Sequence, residues 1–151
     1  MDDQQRILIL DDEECIIQAL GKMLRNQGYA VIACLHPQEA LKRLEDSAID
    51  LVISDLRMPE MTGIEFLIQV KDICPGAAAI LLIDQEDREL AVAAINQGTV
   101  DWYVEKPWDE EIMRITVAST LRYRRILLEN KKLQQVIEKQ GRYISALVVT
   151  S

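Results

Sequence analysis

The amino-acid sequence predicts a doubly wound α/β fold, in which helices cover both faces of a parallel β-sheet. Short apolar runs alternate with longer amphipathic stretches, and this pair is repeated five times along the chain. The apolar runs lack the polar alternation of a half-exposed strand, which indicates strands that are buried on both faces. Of the 151 residues, 49% are hydrophobic. This supply of apolar side chains suits one domain of this class with an appendage.

The first two β-α units occupy residues 7–47. We predict strands at residues 7–10 and 29–34 and helices at residues 14–26 and 37–47. Gly28 is placed to end the first helix, and Pro37 suits the first turn of the second. Right-handed crossovers between successive parallel strands then place the helices on the two faces of the sheet.

The remaining three units extend along the rest of the chain. We predict strands at residues 51–55, 79–83 and 102–104 and helices at residues 64–73, 87–97 and from 108 onward. A loop at residues 58–63 joins the third strand to its helix, Pro75-Gly76 ends that helix and Gly98 ends the next. The last helical pattern contains no Pro or Gly until Gly141, so we expect this helix to be long.

Charged residues follow three of the predicted strands. Asp11 and Asp12 follow the first strand, and Asp55 ends the third. Lys106 follows the fifth strand, and the carboxyl ends of the strands are where such sheets bind ligands. Three converging carboxylates require a cation with a preference for oxygen ligands, which indicates Mg²⁺. Taken singly, Asp11 or Asp12 could instead cap the first helix.

This set of residues also has a chemical logic. An aspartate is a competent nucleophile toward phosphorus. A divalent cation and a lysine ammonium neutralise the charge of a phosphoryl group as it arrives on the carboxylate. Acids after the first and third strands together with a lysine after the fifth are more specific than any one of them.

Three segments of the sequence resemble the receiver domains of bacterial two-component response regulators. The segments are Ile7-Leu8-Ile9-Leu10-Asp11-Asp12-Glu13, Asp55-Leu56-Arg57-Met58-Pro59-Glu60-Met61-Thr62-Gly63 and Tyr103-Val104-Glu105-Lys106-Pro107-Trp108. They occur in the family's order and span roughly residues 5–122. The resemblance implies a flavodoxin-like sheet with strand order 2-1-3-4-5.

The resemblance also implies a role for each matching residue. Asp55 is the site that receives a phosphoryl group from a sensor histidine kinase or a phosphotransfer protein, and Lys106 contacts that group. Tyr103 occupies the place of the aromatic residue that moves inward on activation. The implied Mg²⁺ ligands are the carboxylates of Asp11, Asp12 and Asp55 and the backbone carbonyl of Arg57. Such a domain catalyses its own phosphotransfer and dephosphorylation and is otherwise a signalling module.

The chain departs from the receiver pattern at the end of the fourth strand. Ile83 occupies the position of a Ser or Thr whose hydroxyl bonds the phosphoryl group, and no hydroxyl residue lies between Gly76 and Gly98. Isoleucine cannot donate this bond, and the loss is about 1.5–3 kcal/mol. We therefore expect phosphorylation to persist while the switch at Ile83 and Tyr103 is weakened or altered. The alternative is a one-residue shift of alignment in which another group replaces the hydroxyl.

The C-terminal residues 123–151 continue the last helix with a heptad pattern. Its a and d positions are Tyr123, Ile126, Asn130, Leu133, Ile137, Gln140, Ile144 and Leu147. Asparagine at an a position fixes the register of two-stranded coiled coils, so we predict a parallel dimer through residues 123–137. The alternative is a single amphipathic helix that packs on its own domain. We expect an output domain beyond Ser151, and the run at residues 106–111 resembles receivers attached to HD-type cyclic-di-GMP phosphodiesterases.

Composition excludes several other classes. The net charge of −8 argues against a nucleic-acid-binding surface, and the basic run at residues 122–125 suits a helix face. No apolar run approaches the roughly 20 residues of a membrane span, and the N-terminus does not resemble a signal peptide, so we expect a cytoplasmic location. His36 is expected on the surface. The three cysteines lack metal-ligand spacing and are expected as buried free thiols.

Two competing functions remain open. One is a pseudo-receiver that acts as a phosphorylation-independent dimerisation or adaptor module, which Ile83 favours and the intact set of acids and lysine opposes. The other is a dehalogenase-type phosphatase. That enzyme class needs a second acid two residues after its nucleophile, where this chain has Arg57. The sequence has no phosphate loop of the GxxxxGK[ST] kind and no GxGxxG turn. This excludes a nucleotide-binding function for the sheet.

Overall fold

The computed structural model describes the backbone of residues 4–150 and the side chains of residues 4–142, 144 and 145. In this described part, five strands alternate with five α-helices. The strands are β1 (Arg6–Leu10), β2 (Ala30–Cys34), β3 (Leu51–Asp55), β4 (Ala78–Ile83) and β5 (Trp102–Glu105). The helices are α1 (Glu14–Asn26), α2 (Pro37–Asp46), α3 (Gly63–Ile73), α4 (Arg88–Asn96) and α5 (Glu110–Thr150), with a 3₁₀ turn at Gln85–Asp87 before α4.

The five strands form one parallel sheet in the order β2-β1-β3-β4-β5. This confirms the predicted doubly wound sheet and the strand order that the resemblance implied. The register places Asp55 opposite Leu82, and Ile83 opposite Glu105. The carboxyl ends of β1, β3, β4 and β5 therefore lie along one edge, where the charged residues were expected to meet.

Successive residues of each strand enter two separate apolar layers. One layer packs the sheet against α2, α3 and α4 and contains Leu8, Val52, Leu81 and Phe66. The other packs it against α1 and α5 and contains Ile9, Ile53, Leu82 and Val117. Side chains alternate across a strand, so a strand covered on both faces needs apolar residues at every position. The unbroken apolar runs of the sequence have this cause.

Local capping explains where several helices begin and end. Gly28 and Gly98 follow α1 and α4 with φ angles of +94° and +80°, a conformation that glycine adopts without strain. The α5 helix begins at Glu110 rather than at the predicted Trp108. Asp109 accepts hydrogen bonds from the backbone N–H groups of Glu111 and Ile112, at 2.9 and 3.1 Å, and so sets this start.

The cysteines differ from one another in exposure. Cys34 is buried and Cys74 is half-buried, whereas Cys15 is exposed on α1. The expectation of three buried thiols was therefore wrong for Cys15. His36 is exposed, as expected, and lies 3.2 Å from a carboxylate oxygen of Glu60.

The α5 helix leaves the domain after its first three turns. Among its described side chains the last buried one is Leu121, and Arg124 still donates hydrogen bonds to the backbone carbonyls of Pro75 and Gly76. Beyond this contact the apolar side chains that the structure describes are exposed, for example Leu133 at 60% and Ile137 at 66%.

Among the described residues, no helix combines the length and the apolar character that crossing a bilayer requires.

Candidate functional site

Three carboxylates converge at the carboxyl edge of the sheet. Asp11 follows β1 and is buried, Asp12 beside it is exposed, and Asp55 is the buried last residue of β3. Carboxylate oxygens of the three residues all lie within 4.8 Å of one another. The structure thus brings together the three acids that the sequence singled out.

Lys106 brings a positive charge into this cluster from the end of β5. Its Nζ lies 2.7 Å from Asp11 Oδ2 and 3.1 Å from Asp55 Oδ1. The backbone N–H of Lys106 donates to the carbonyl of Ile83 at 2.8 Å, which holds the lysine at the end of the sheet. Burial lowers the pKa of the Lys106 ammonium, but its hydrogen bonds and charge interactions with Asp11 and Asp55 outweigh burial and raise it. Lys106 is therefore a fixed cation of the site.

The surroundings of Asp55 disfavour its ionised form. Burial raises its pKa to about 6, and the negative charge of Asp11 adds to this effect, while Lys106 opposes it. One ammonium does not neutralise three neighbouring carboxylates. The site is therefore short of positive charge.

The donor set fits a hard divalent cation such as Mg²⁺. Its ligand atoms are carboxylate oxygens, which this ion prefers, and their mutual distances allow one ion to reach all three residues. Such an ion would also supply the positive charge that the cluster lacks. The cluster of Asp11, Asp12 and Asp55 can in this way hold Mg²⁺ at the carboxyl edge of the sheet.

The capping alternative for the first acids does not hold. The residue before α1 is Glu13, and the start of this helix has no side-chain cap. Asp11 Oδ1 accepts the backbone N–H of Glu13 at 2.9 Å, while its Oδ2 bonds Lys106. Asp11 is thus oriented from both sides and belongs to the charged cluster.

Gly63 fixes the loop that follows Asp55. Its N–H donates to the carbonyl of Leu56 at 2.8 Å, and a β-carbon at this position would lie 2.2 Å from the backbone oxygen of Asp55. Only a glycine allows so close an approach. Thr62 precedes it and caps α3 by accepting the N–H of Glu65 at 3.1 Å. The start of α3 therefore packs directly against the backbone of Asp55.

The two expected switch residues pack together with the core on one face of the sheet. Ile83 is the last residue of β4 and is 1% exposed. Tyr103 is half-buried, packs against the same apolar layer and stacks on Trp102 with ring centroids 5.9 Å apart. Ile83 therefore occupies the end of β4, next to the site, with an aliphatic side chain and no hydroxyl.

Sequence reasoning missed the ion pairs around the segment before α4. Arg57 pairs with the buried Asp87 at 2.7 Å, and Arg88 pairs with Glu105. Asp87 was predicted only as the first residue of a helix. The available signal was a lone arginine in the loop after Asp55, but it did not identify the partner 30 residues away.

The predicted dimer residues lie on the exposed part of α5. They are Tyr123, Ile126, Asn130, Leu133 and Ile137. The structure does not bring them to the charged cluster, and their pairing with a second chain stays a prediction.

The chain is similar in sequence to a known protein family. The family model of the response regulator receiver domain matches residues 7–118 of this chain. The transcriptional regulatory protein ZraR of Klebsiella oxytoca is 32% identical over 124 residues, which cover 82% of this chain and 28% of that protein. The alginate biosynthesis transcriptional regulatory protein AlgB of Pseudomonas aeruginosa is 29% identical over 138 residues, which cover 91% of this chain and 30% of that protein. The chain thus spans less than a third of the length of these curated relatives.

Solved structures of receiver domains have the same fold. The signal receiver domain of an HD domain-containing protein from Pseudomonas fluorescens Pf-5 superposes with a TM-score of 0.78 and 29% identity, over 85% of this chain and 95% of that one. A CheY-like response regulator receiver domain protein from Methanospirillum hungatei JF-1 superposes with a TM-score of 0.75 and 27% identity, over 82% and 98% of the two chains.

Proposed function

Since the chain belongs to the receiver domain family of response regulators, we propose that it accepts a phosphoryl group on Asp55 from a sensor histidine kinase or a phosphotransfer protein. The observation that carries this proposal is the contact of Lys106 with both Asp11 and Asp55, inside a cluster of three carboxylates. A structural acid at the end of a strand would not need this half-buried lysine or two further acids within reach.

The chemistry follows from this arrangement. A carboxylate oxygen of Asp55 attacks phosphorus, the bond from phosphorus to the imidazole nitrogen of the donor breaks, and an acyl phosphate forms. Lys106 lies 3.1 Å from the Asp55 carboxylate and would pair with the phosphoryl oxygens. Asp11 holds this lysine in place through its 2.7 Å hydrogen bond.

The metal of this proposal is Mg²⁺. Asp11, Asp12, Asp55 and the backbone carbonyl of Arg57 would hold it, and the carboxylates of the first three lie close enough to share one ion. When bound, the ion supplies charge neutralisation for the phosphoryl oxygens. The chain's own acids would bind and orient this ion, and Lys106 provides the second positive charge.

We further propose that residues 5–122 form the receiver and that residues 123–151 form a linker to an output domain. The exposed apolar residues of α5 at heptad spacing support a parallel, dimeric coiled coil in this linker. The curated relatives are transcriptional regulators about three times longer, and one structural neighbour comes from an HD domain-containing protein. A cytoplasmic location suits a partner of a kinase, and we assign no membrane or nucleic-acid contact to this segment.

Labelling with acetyl phosphate tests the proposal. The wild-type chain is expected to gain one phosphoryl group in the presence of Mg²⁺ and none after chelation. The Asp55→Asn variant is expected to stay unlabelled, while Asp72→Asn, which removes an exposed acid of α3, should label like the wild type. Equal labelling of Asp55→Asn and the wild type would contradict the assignment.

A second function is favoured by one observation. Ile83 is buried at the end of β4 and offers no hydroxyl to a phosphoryl group. A pseudo-receiver would use the same fold as a phosphorylation-independent dimerisation or adaptor module. A wild-type chain that is dimeric but takes no label from either acetyl phosphate or a kinase would favour this function.

A further inference from the structure

The loop after Asp55 is tied to the segment before α4 by a two-pronged ion pair. Arg57 Nη2 donates to Asp87 Oδ1 at 2.7 Å, and Arg57 Nε donates to Asp87 Oδ2 at 3.3 Å. This is the fork geometry in which a guanidinium binds a carboxylate most selectively. Asp87 is the last residue of the 3₁₀ turn and directly precedes α4.

The two partners of this pair differ sharply in burial. The side chain of Asp87 is 6% exposed and that of Arg57 is 59% exposed. Among the described residues, both side-chain hydrogen bonds to the Asp87 carboxylate come from Arg57. A buried carboxylate that loses its only cation is strongly destabilised, so the turn that carries Asp87 depends on Arg57 for its position.

The same segment is tied to the site from its other side. Arg88 pairs with Glu105, which lies next to Lys106 at the end of β5. Residues 84–88 are therefore held between the loop that follows Asp55 and the strand that delivers Lys106. Ile83 immediately precedes this segment and contributes no hydrogen-bonding side chain, so these ion pairs are the polar side-chain links between the segment and the two site-bearing loops in the described structure.

We propose that Arg57 is a phosphoryl-binding residue, which leaves Asp87 for the phosphoryl oxygens when Asp55 is phosphorylated and thereby releases residues 84–88. This inference rests on the proposed function of Asp55. It gives the chain a route from the site to the segment before α4 that does not need a hydroxyl at position 83.

Geometry and charge support this exchange of partners. Arg57 lies two residues after Asp55, a backbone separation of at most about 7 Å, and its long side chain is mostly in solvent. A phosphoryl group carries a charge of about −1.5 to −2 and three acceptor oxygens, against the single charge of a carboxylate. It therefore competes with Asp87 for the same guanidinium fork, at a position within reach of the side chain.

Nuclear magnetic resonance of the full chain tests the inference with Mg²⁺ and beryllofluoride as the phosphoryl mimic. The Arg57 Nε–H signal, assigned by its loss in Arg57→Lys, is expected to shift when beryllofluoride binds. Amide exchange of residues 84–88 is expected to accelerate by about tenfold or more, the equivalent of one charge-assisted hydrogen bond. In Asp87→Asn this segment should exchange fast before beryllofluoride is added and gain little afterwards. Glu89→Gln removes a neighbouring exposed acid of α4 and should behave like the wild type.

Two outcomes overturn the inference and are told apart by the fluorine signal of bound beryllofluoride. If that signal is present while the Arg57 signal and the exchange of residues 84–88 stay unchanged, the inference is wrong and the proposed function stands. If no bound fluoride is seen in the wild type, the proposed function fails and the inference fails with it. The wild-type measurement decides the matter even if Asp87→Asn does not fold.

Discussion

A single methyl group at Gly63 should disrupt both the fold and the site. A β-carbon there would lie 2.2 Å from the backbone oxygen of Asp55, 2.9 Å from a methyl of Leu81 and 3.0 Å from the carbonyl carbon of Asp55. An ordinary C···O contact is about 3.3 Å or longer, so the start of α3 and the end of β3 must separate by about 1 Å. The nearest atom belongs to the backbone and cannot rotate away.

This separation has a cost in stability and in chemistry. We expect Gly63→Ala to lower the free energy of unfolding by about 3 kcal/mol, at the upper end of what overpacking costs. The displacement falls on Asp55 itself, and a misplacement of 1 Å can reduce a rate by about 100-fold. Urea unfolding followed by circular dichroism measures the first effect, and the initial rate of acetyl phosphate labelling measures the second.

Gly76→Ala is the matched control, because a β-carbon at Gly76 meets no atom of the described residues within 4 Å and its backbone does not have a positive φ. This variant should unfold within about 1 kcal/mol of the wild type, with unchanged labelling. A Gly63→Ala protein that is as stable as the control and labels at the wild-type rate would refute the reasoning, since the close contact would then carry no constraint.

Three further changes have defined outcomes. Lys106→Met should reduce the rate of Asp55 labelling by about 100-fold or more, because it removes the cation that would pair with the phosphoryl oxygens, and unchanged labelling would argue against its role. Ile83→Thr places a hydroxyl in a site that is 1% exposed, so urea unfolding should show a loss of about 1–3 kcal/mol without ligand. The same variant should bind beryllofluoride about tenfold more tightly if the hydroxyl reaches the ligand, and equal titration curves for both proteins would exclude that contact. Ile137→Asp should shift the chain from dimer to monomer in analytical ultracentrifugation, whereas Gln135→Asp at an outer heptad position should leave it dimeric, and a monomeric wild type would defeat the coiled-coil proposal.

Most of the fold could be predicted because burial on both faces of a sheet leaves a direct signature in the sequence. Runs such as residues 7–10 and 79–83 are apolar at every position, as a strand covered on two sides requires. The position of the acids followed from the same logic. In a parallel sheet every strand ends at the same edge, so Asp11, Asp55 and Lys106 had to be neighbours once their strands were recognised.

The contacts that were missed depend on distances that no local pattern encodes. Arg57 and Asp87 are 30 residues apart and meet because the loop after β3 and the turn after β4 are adjacent in space. The need for glycine at position 63 has a similar cause, since the atom that excludes a side chain belongs to the backbone of Asp55. The error at Cys15 came from treating cysteine as a buried residue by type, although this one lies on the outer face of α1.

Because α5 is one continuous helix, a tilt at its buried end is amplified along its length. The helix has 41 residues without a break, and Met113, Val117 and Leu121 near its start are buried against the sheet. From Leu121 to Thr150 the helix extends by about 44 Å at 1.5 Å per residue. A tilt of about 5° at the buried end would move the far end by about 4 Å over that length. A rearrangement too small to disturb the packing of the sheet thus displaces the C-terminal end of the helix by the width of a side chain.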